Sequence, residues 1–110
     1  MVAGRQQVLH AAVAQHRARD LLMRQRTQLI NAMRAHLAEL GIVSAQGREG
    51  LSELLSVISN EQEIQMPIDA RATLMVLAAQ LHALQTLIGT LDKRIMAQHR
   101  TSDESTRLET

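Results

Sequence analysis

The chain contains no Cys, Phe, Trp or Tyr and one Pro in 110 residues. Each absence removes a class of protein. Without cysteine there are no disulfides, no thiolate zinc sites and no cysteine nucleophiles, so a stapled secreted scaffold is excluded. Without aromatics there are no large side chains to fill a compact core, and a chain of this size must build one from many small aliphatic contacts. Strands rich in aromatic residues go with them, and so do nucleic-acid-binding domains that stack bases on aromatic rings. No uninterrupted apolar run approaches the ~20 residues that span a bilayer, and the N-terminus lacks a basic-then-apolar signal pattern. These absences lead to the expectation of a cytoplasmic protein with no membrane partner.

What is present favours helix. The 50 apolar residues are Ala, Val, Ile, Leu and Met, and Ala, Leu, Gln, Arg, Glu, Lys and Met together make 67 of the 110 residues. All seven are good helix formers. The expected fold is all-α: a long antiparallel helical hairpin, coiled-coil-like, with a short helix at its tip.

From Arg5 to Leu40 nothing breaks a helix, and Gly41 stands where a residue just past a C-terminus is needed. A heptad column of Leu9, His16, Met23, Ile30 and Leu37 runs beside one of Arg5, Ala12, Arg19, Arg26, Met33 and Leu40. This is a coiled-coil seam interrupted by arginine. Val8, Leu22 and Leu29 widen the apolar face. Residues 41–47 read as a turn, and 48–59 as a short helix with Leu51, Leu54, Leu55 and Ile58 at helical spacing. An acidic connector follows. Pro67 then suits the first turn of a third segment, about 67–99, with Asp69 near the positive end of the helix dipole.

That segment carries the strongest pattern in the chain, Leu74, Leu77, Leu81, Leu84, Ile88, Leu91 and Ile95, spaced 3, 4, 3, 4, 3, 4. Only Leu and Ile occupy it. Such a run is specific for knobs-into-holes packing between helices. At ~1.5 Å per residue the two long helices are each about 50 Å long, which a hairpin accommodates. Leu22, Leu29 and Leu87 are expected to seek a second copy or another domain. Residues 1–100 form the hairpin domain in this reading. Residues 101–110, where Thr101 and Glu104 match a capping box, form a C-terminal tail that can start a further short helix.

The search for chemistry is mostly negative. His10, His16, His36, His82 and His99 include no helical i, i+4 pair with an acid. No phosphate-cradling glycine loop occurs, and the acids are too dispersed to hold a divalent cation. Ser44, Ser52, Ser56 and Ser59 have no neighbouring His to act as base. No catalytic residue, metal site or cofactor is expected.

The arginines carry what signal remains. Net charge is only +1, but residues 1–40 hold six Arg against Asp20 and Glu39, while residues 41–66 are acidic. Eleven of the twelve cationic residues are Arg, the residue suited to planar contacts with phosphate or carboxylate. A GC-rich genome gives the same bias. Arg17 and Arg24 share one column, with Arg34 on a nearby flank, and Arg19 and Arg26 fall within the apolar stripe. One reading is a phosphate-tracking face made of Arg17, Arg19, Arg24, Arg26 and Arg34. The other, for Arg17, Arg24 and Arg34, is an ordinary solvated helix surface. The stripe arginines need either a partner or a stem laid along the apolar surface with the head in water. Antiparallel pairing brings Arg19 near Asp92, and Arg26 near residues 81–85, where there is no acid.

The pattern RxxLxxxRTxLxNxxRxHLAExGI from Arg19 to Ile42, then QGRxGL from Gln46 to Leu51, LDxRI from Leu91 to Ile95 and RLET from Arg107 to Thr110, resembles the middle of a bacterial insertion-sequence transposase of the DEDD type, the RuvC-like, RNA-bridged recombinases. The resemblance covers nearly the whole chain. In that family a RuvC-like domain with the catalytic acids comes first, a helical coiled-coil segment second, and a domain with a serine nucleophile last, opening just after an RLxT pattern. Only the middle segment matches, so neither the acids nor the serine can be carried onto any residue here. The resemblance implies a noncatalytic assembly element for DNA transposition, with DNA, a guide RNA and further copies of itself as partners. The competing reading is a stand-alone helical adaptor or regulator that binds only protein.

Overall fold

The computed structural model describes residues 4–42, 55, 56, 58, 59 and 66–109. Two long α-helices pack against each other as a helical hairpin, α1 at Arg5–Glu39 and α2 at Ile68–Glu109. Among the described residues there is no strand. Of the expected short helix, Leu55, Ser56, Ile58 and Ser59 are helical; residues 48–54 and 57 lie outside the described residues.

The helix ends follow from local chemistry. At the start of α1 the Gly4 N–H donates to Gln7 Oε1 at 3.3 Å, one half of a capping box, while the Gly4 carbonyl accepts from Val8 N at 3.0 Å. At its end Gly41 has φ +82°. The Gly41 N–H donates to the Ala38 carbonyl and the Ile42 N–H to the Leu37 carbonyl, both at 2.9 Å. These are the two bonds of a Schellman motif, and Ile42 packs on the apolar cluster that contains Leu37. A side chain at Gly41 would meet no atom within 4 Å, so only the backbone opposes one. Gly41→Ala is therefore expected to lower stability by about 1–2 kcal/mol, read as a shift in the urea midpoint.

The start of α2 is set by Pro67, whose carbonyl accepts from Arg71 N at 3.0 Å, and Asp69 sits in the first turn. The end of α2 corrects the sequence reading. The helix does not stop near His99 but continues to Glu109. Thr101 does not open a new helix, because its hydroxyl donates back to the Ala97 carbonyl at 3.0 Å, as Thr73 does to Asp69 and Thr90 to Thr86. With no Gly or Pro after Gly89, extending an existing helix is easier than ending it and nucleating another.

Two compact units emerge, Gln25–Leu84 and Met1–Arg24 with Gln85–Thr110. In the unit Gln25–Leu84, Ile30, Met33, Leu37, Ile58, Leu74 and Leu81 form one buried cluster, with Leu29, Leu55, Leu77 and Ala78 packed around it. Leu84 is also buried. In the other unit Ile88 is buried while Met23, Leu91 and Ile95 are half-buried. Leu9, which the heptad places in the seam, is 66 % exposed. Leu22 is half-buried and Leu87 exposed.

By length and composition alone Ile68–Thr101 is apolar enough to cross a membrane, which qualifies the expectation drawn from apolar runs. The polar residues that interrupt those runs are mostly uncharged Thr, Gln, His and Gly. In the folded chain Leu74, Leu77 and Leu81 of this helix instead pack with Ile30, Met33 and Leu37 of α1.

Candidate nucleic-acid interface

The five candidate arginines, Arg17, Arg19, Arg24, Arg26 and Arg34, are not equivalent. Arg17 and Arg24, two turns apart on one column, are both exposed, so their guanidiniums are available without any change in packing. Arg19 lies in the apolar stripe, and its Nε donates to Asp92 Oδ1 at 2.5 Å. This is the pair expected from antiparallel helix arithmetic. Its side chain and that of Asp92 remain 35 % and 46 % exposed, so solvent screens the pair and it fixes register more than it adds stability. The hydrogen bond and the charge of Asp92 raise the Arg19 pKa above its ordinary value. Because the shift is upward, the contribution from Arg19's own ionisation is complete at neutral pH and is lost as pH rises through its raised pKa in strong alkali.

Arg26 is half-buried and makes neither an ion pair nor a hydrogen bond with a described residue. It continues the column of Arg19 into the part of α1 that carries the apolar cluster. Arg26→Leu is therefore expected to raise Tm in a thermal melt, since it replaces a half-desolvated charge with a side chain suited to the seam. If Arg26 also touches phosphate, the same variant lowers the salt slope of nucleic-acid binding by about one. Unchanged affinity with a higher Tm would identify the charge as merely tolerated. Arg34 is half-buried and already engaged within the molecule.

Two features were missed by sequence reasoning. Arg71 is buried, 9 % exposed, and its Nη1 donates to the Ile58 carbonyl at 2.5 Å. It thereby ties the first turn of α2 to the preceding helical residue Ile58. The available signal was an arginine beside Ala70, where the Leu/Ile spacing runs on toward the N-terminus. Second, Lys93, Arg94 and Arg100 are exposed on α2, in the same compact unit as Arg17 and Arg24. Over residues 4–24 and 85–103 there are seven Lys or Arg against Asp20, Asp92 and Asp103. The positive charge read from α1 alone is therefore a property of a unit to which both helices contribute. Among the described residues no group of three or more His, Asp or Glu could hold a metal ion.

Comparison with known proteins gives two transposase relatives. A protein of Sinorhizobium fredii named as a transposase, y4pF/y4sB, is 36 % identical over 90 residues, covering 82 % of this chain and 23 % of its own length. A protein of Pseudomonas aeruginosa named as a family 20 transposase is 31 % identical over 91 residues, covering 82 % of this chain and 27 % of its own. The chain thus spans about a quarter of the length of the curated relatives it matches. No family profile matches it, and no solved structure does.

Proposed function

We propose that this chain is a noncatalytic, nucleic-acid-contacting and assembly segment of a DNA transposase. The observation that carries the proposal is the similarity to two transposases across four-fifths of the chain, joined to a helix that presents Arg17 and Arg24 to solvent. In this reading the Leu/Ile seam makes the hairpin stiff enough to hold arginines in fixed columns. The arginines neutralise phosphates of DNA, and of a guide RNA if the parent protein is a DEDD-type, RNA-bridged recombinase. Arg17 and Arg24 make the primary contacts, with Arg26 and Arg34 beside them and Arg19 held in place by Asp92. Catalysis belongs to other parts of such a protein.

Exposed Val76, Leu87 and Met96 support self-association, since apolar surface on a small helical unit gains from being covered. Light scattering on the purified chain is expected to show a dimer or larger species, and a strict monomer at high concentration would contradict this part. The nucleic-acid part is tested by fluorescence anisotropy with labelled duplex DNA and structured RNA over a salt series. Log affinity is expected to fall linearly with log salt, by about 0.9 per duplex phosphate neutralised and about 0.7 per single-stranded one. No binding at low salt would favour a helical adaptor that binds only protein.

A further inference from the structure

Two registers of alternating spacing run along α2. The first is the Leu/Ile seam, whose Leu74 and Leu81 are buried. The second starts at Asp69 and passes through Ala72, Val76, Ala79, Ala83 and two threonines to Lys93, spaced 3, 4, 3, 4, 3, 4, 3. Every one of its positions is exposed, and Val76 is 69 % exposed. At 100° per residue this column lies on the side of the helix away from the seam. Between Arg71 and Asp92 α2 has no Asp, Glu, Lys or Arg. The outer face of a solvated helix normally carries charge, as the exposed column of α1 does with Arg17 and Arg24. The outer face of α2 carries alanines instead, and Thr90 turns its hydroxyl onto its own helix, at the Thr86 carbonyl. A coiled-coil register of small side chains lets a second helix approach to about 8 Å, the near end of the usual range.

The charges sit only at the two ends of the column, an acid at the start and a base at the finish. Neither Asp69 nor Lys93 makes an ion pair with a described residue. We propose that this face docks a second copy of the chain, with α2 antiparallel to α2 about a two-fold axis at the level of residue 81. In that arrangement Ala79 lies level with Ala83 of the second copy, Val76 with Thr86, Ala72 with Thr90, and Asp69 with Lys93, each pairing occurring twice as a two-fold contact requires. A parallel pairing would set Asp69 on Asp69 and Lys93 on Lys93, and like charges brought together oppose association. The column is therefore complementary to its own reverse. The inference rests on the reading that the chain self-associates, and it names the surface, the partner and the direction.

The test uses the full chain, whose lack of cysteine allows one to be placed at will for spin labelling. Gln80 and Thr73 are exposed beside the column, outside the contact itself. In the dimer Gln80→Cys labels are expected to be close together, whereas Thr73→Cys labels are expected to be about 24 Å apart along the helix axis, at ~1.5 Å per residue. Short distances at both positions would mean a parallel pair and would overturn the proposal. Asp69→Lys alone, and Lys93→Asp alone, should each weaken the dimer about tenfold in sedimentation at low salt, and the two together should restore it. Ala83→Glu should weaken it by more, with helical circular dichroism unchanged because the position is exposed in the single chain. A dimer indifferent to all four variants would overturn this face and leave self-association standing; a strict monomer would overturn both. Loss of the dimer in favour of binding to phosphatidylcholine vesicles would overturn the proposal by assigning the face to lipid.

Discussion

Leu81→Ala is expected to destabilise the chain by about 2–5 kcal/mol, the range for removing a fully buried leucine from a core that only partly collapses. Leu81 is 1 % exposed and sits in a buried cluster with Met33, Leu37 and Leu74. No aromatic side chain is available to relax into the space. Folding free energies of whole domains are only about 5–15 kcal/mol, so a single truncation here removes a large share. The seam is the reason. Leucine and isoleucine at alternating spacings of three and four meet the facing helix at every turn, and a missing side chain leaves a hole that its neighbours cannot fill without leaving their own. Leu87→Ala is the matched control, because Leu87 is 51 % exposed and its truncation should change stability by less than about 0.5 kcal/mol. Urea unfolding followed by circular dichroism measures both. Equal effects at the two positions would mean that the seam is not the core.

Reversing the two exposed arginines is expected to affect binding strongly and stability hardly at all. Arg17→Glu with Arg24→Glu removes two positive charges and adds two negative ones on a single column of α1. At low salt this should weaken nucleic-acid binding by roughly 100-fold and reduce the salt slope by about two. Thermal melts should barely move, since both residues are exposed. The contrast with Leu81→Ala separates the two roles of the helices: the buried columns make the hairpin, and the exposed column is the one proposed to make the contact. A double variant that kept full affinity would return Arg17 and Arg24 to the status of ordinary solvated residues.

The parts of this molecule that were legible in the sequence are those governed by spacing along a single helix. The seam from Leu74 to Ile95 was readable because a period of 3.5 residues has one structural meaning. The end of α1 was readable because a glycine after an unbroken helical run supplies the positive φ that a Schellman motif needs, and Gly41 adopts it. The Arg19–Asp92 pair followed from antiparallel register once two seams were assigned. Arg71 was not legible. Its partner, the Ile58 carbonyl, is thirteen residues away, and their meeting depends on how the intervening chain returns, which no periodicity encodes. The end of α2 was misread for a different reason. Thr-x-x-Glu is a helix-start signature, but a threonine hydroxyl that bonds back four residues fits an uninterrupted helix equally well. The Arg face was half legible: α1 showed its charge plainly, whereas Lys93, Arg94 and Arg100 join it only once the helices are folded together.

The central claim is that Arg17 and Arg24 meet nucleic acid while Arg19 and Arg71 serve the fold. Arginine side-chain NMR tests it most directly, by following the Nε–H signals as duplex DNA is added to the chain. The signals of Arg17 and Arg24 are expected to shift progressively and to return as salt is raised, while those of Arg19, bonded to Asp92, and of buried Arg71 stay where they are. Shifts at Arg19 and Arg71 with Arg17 and Arg24 unmoved would contradict the account.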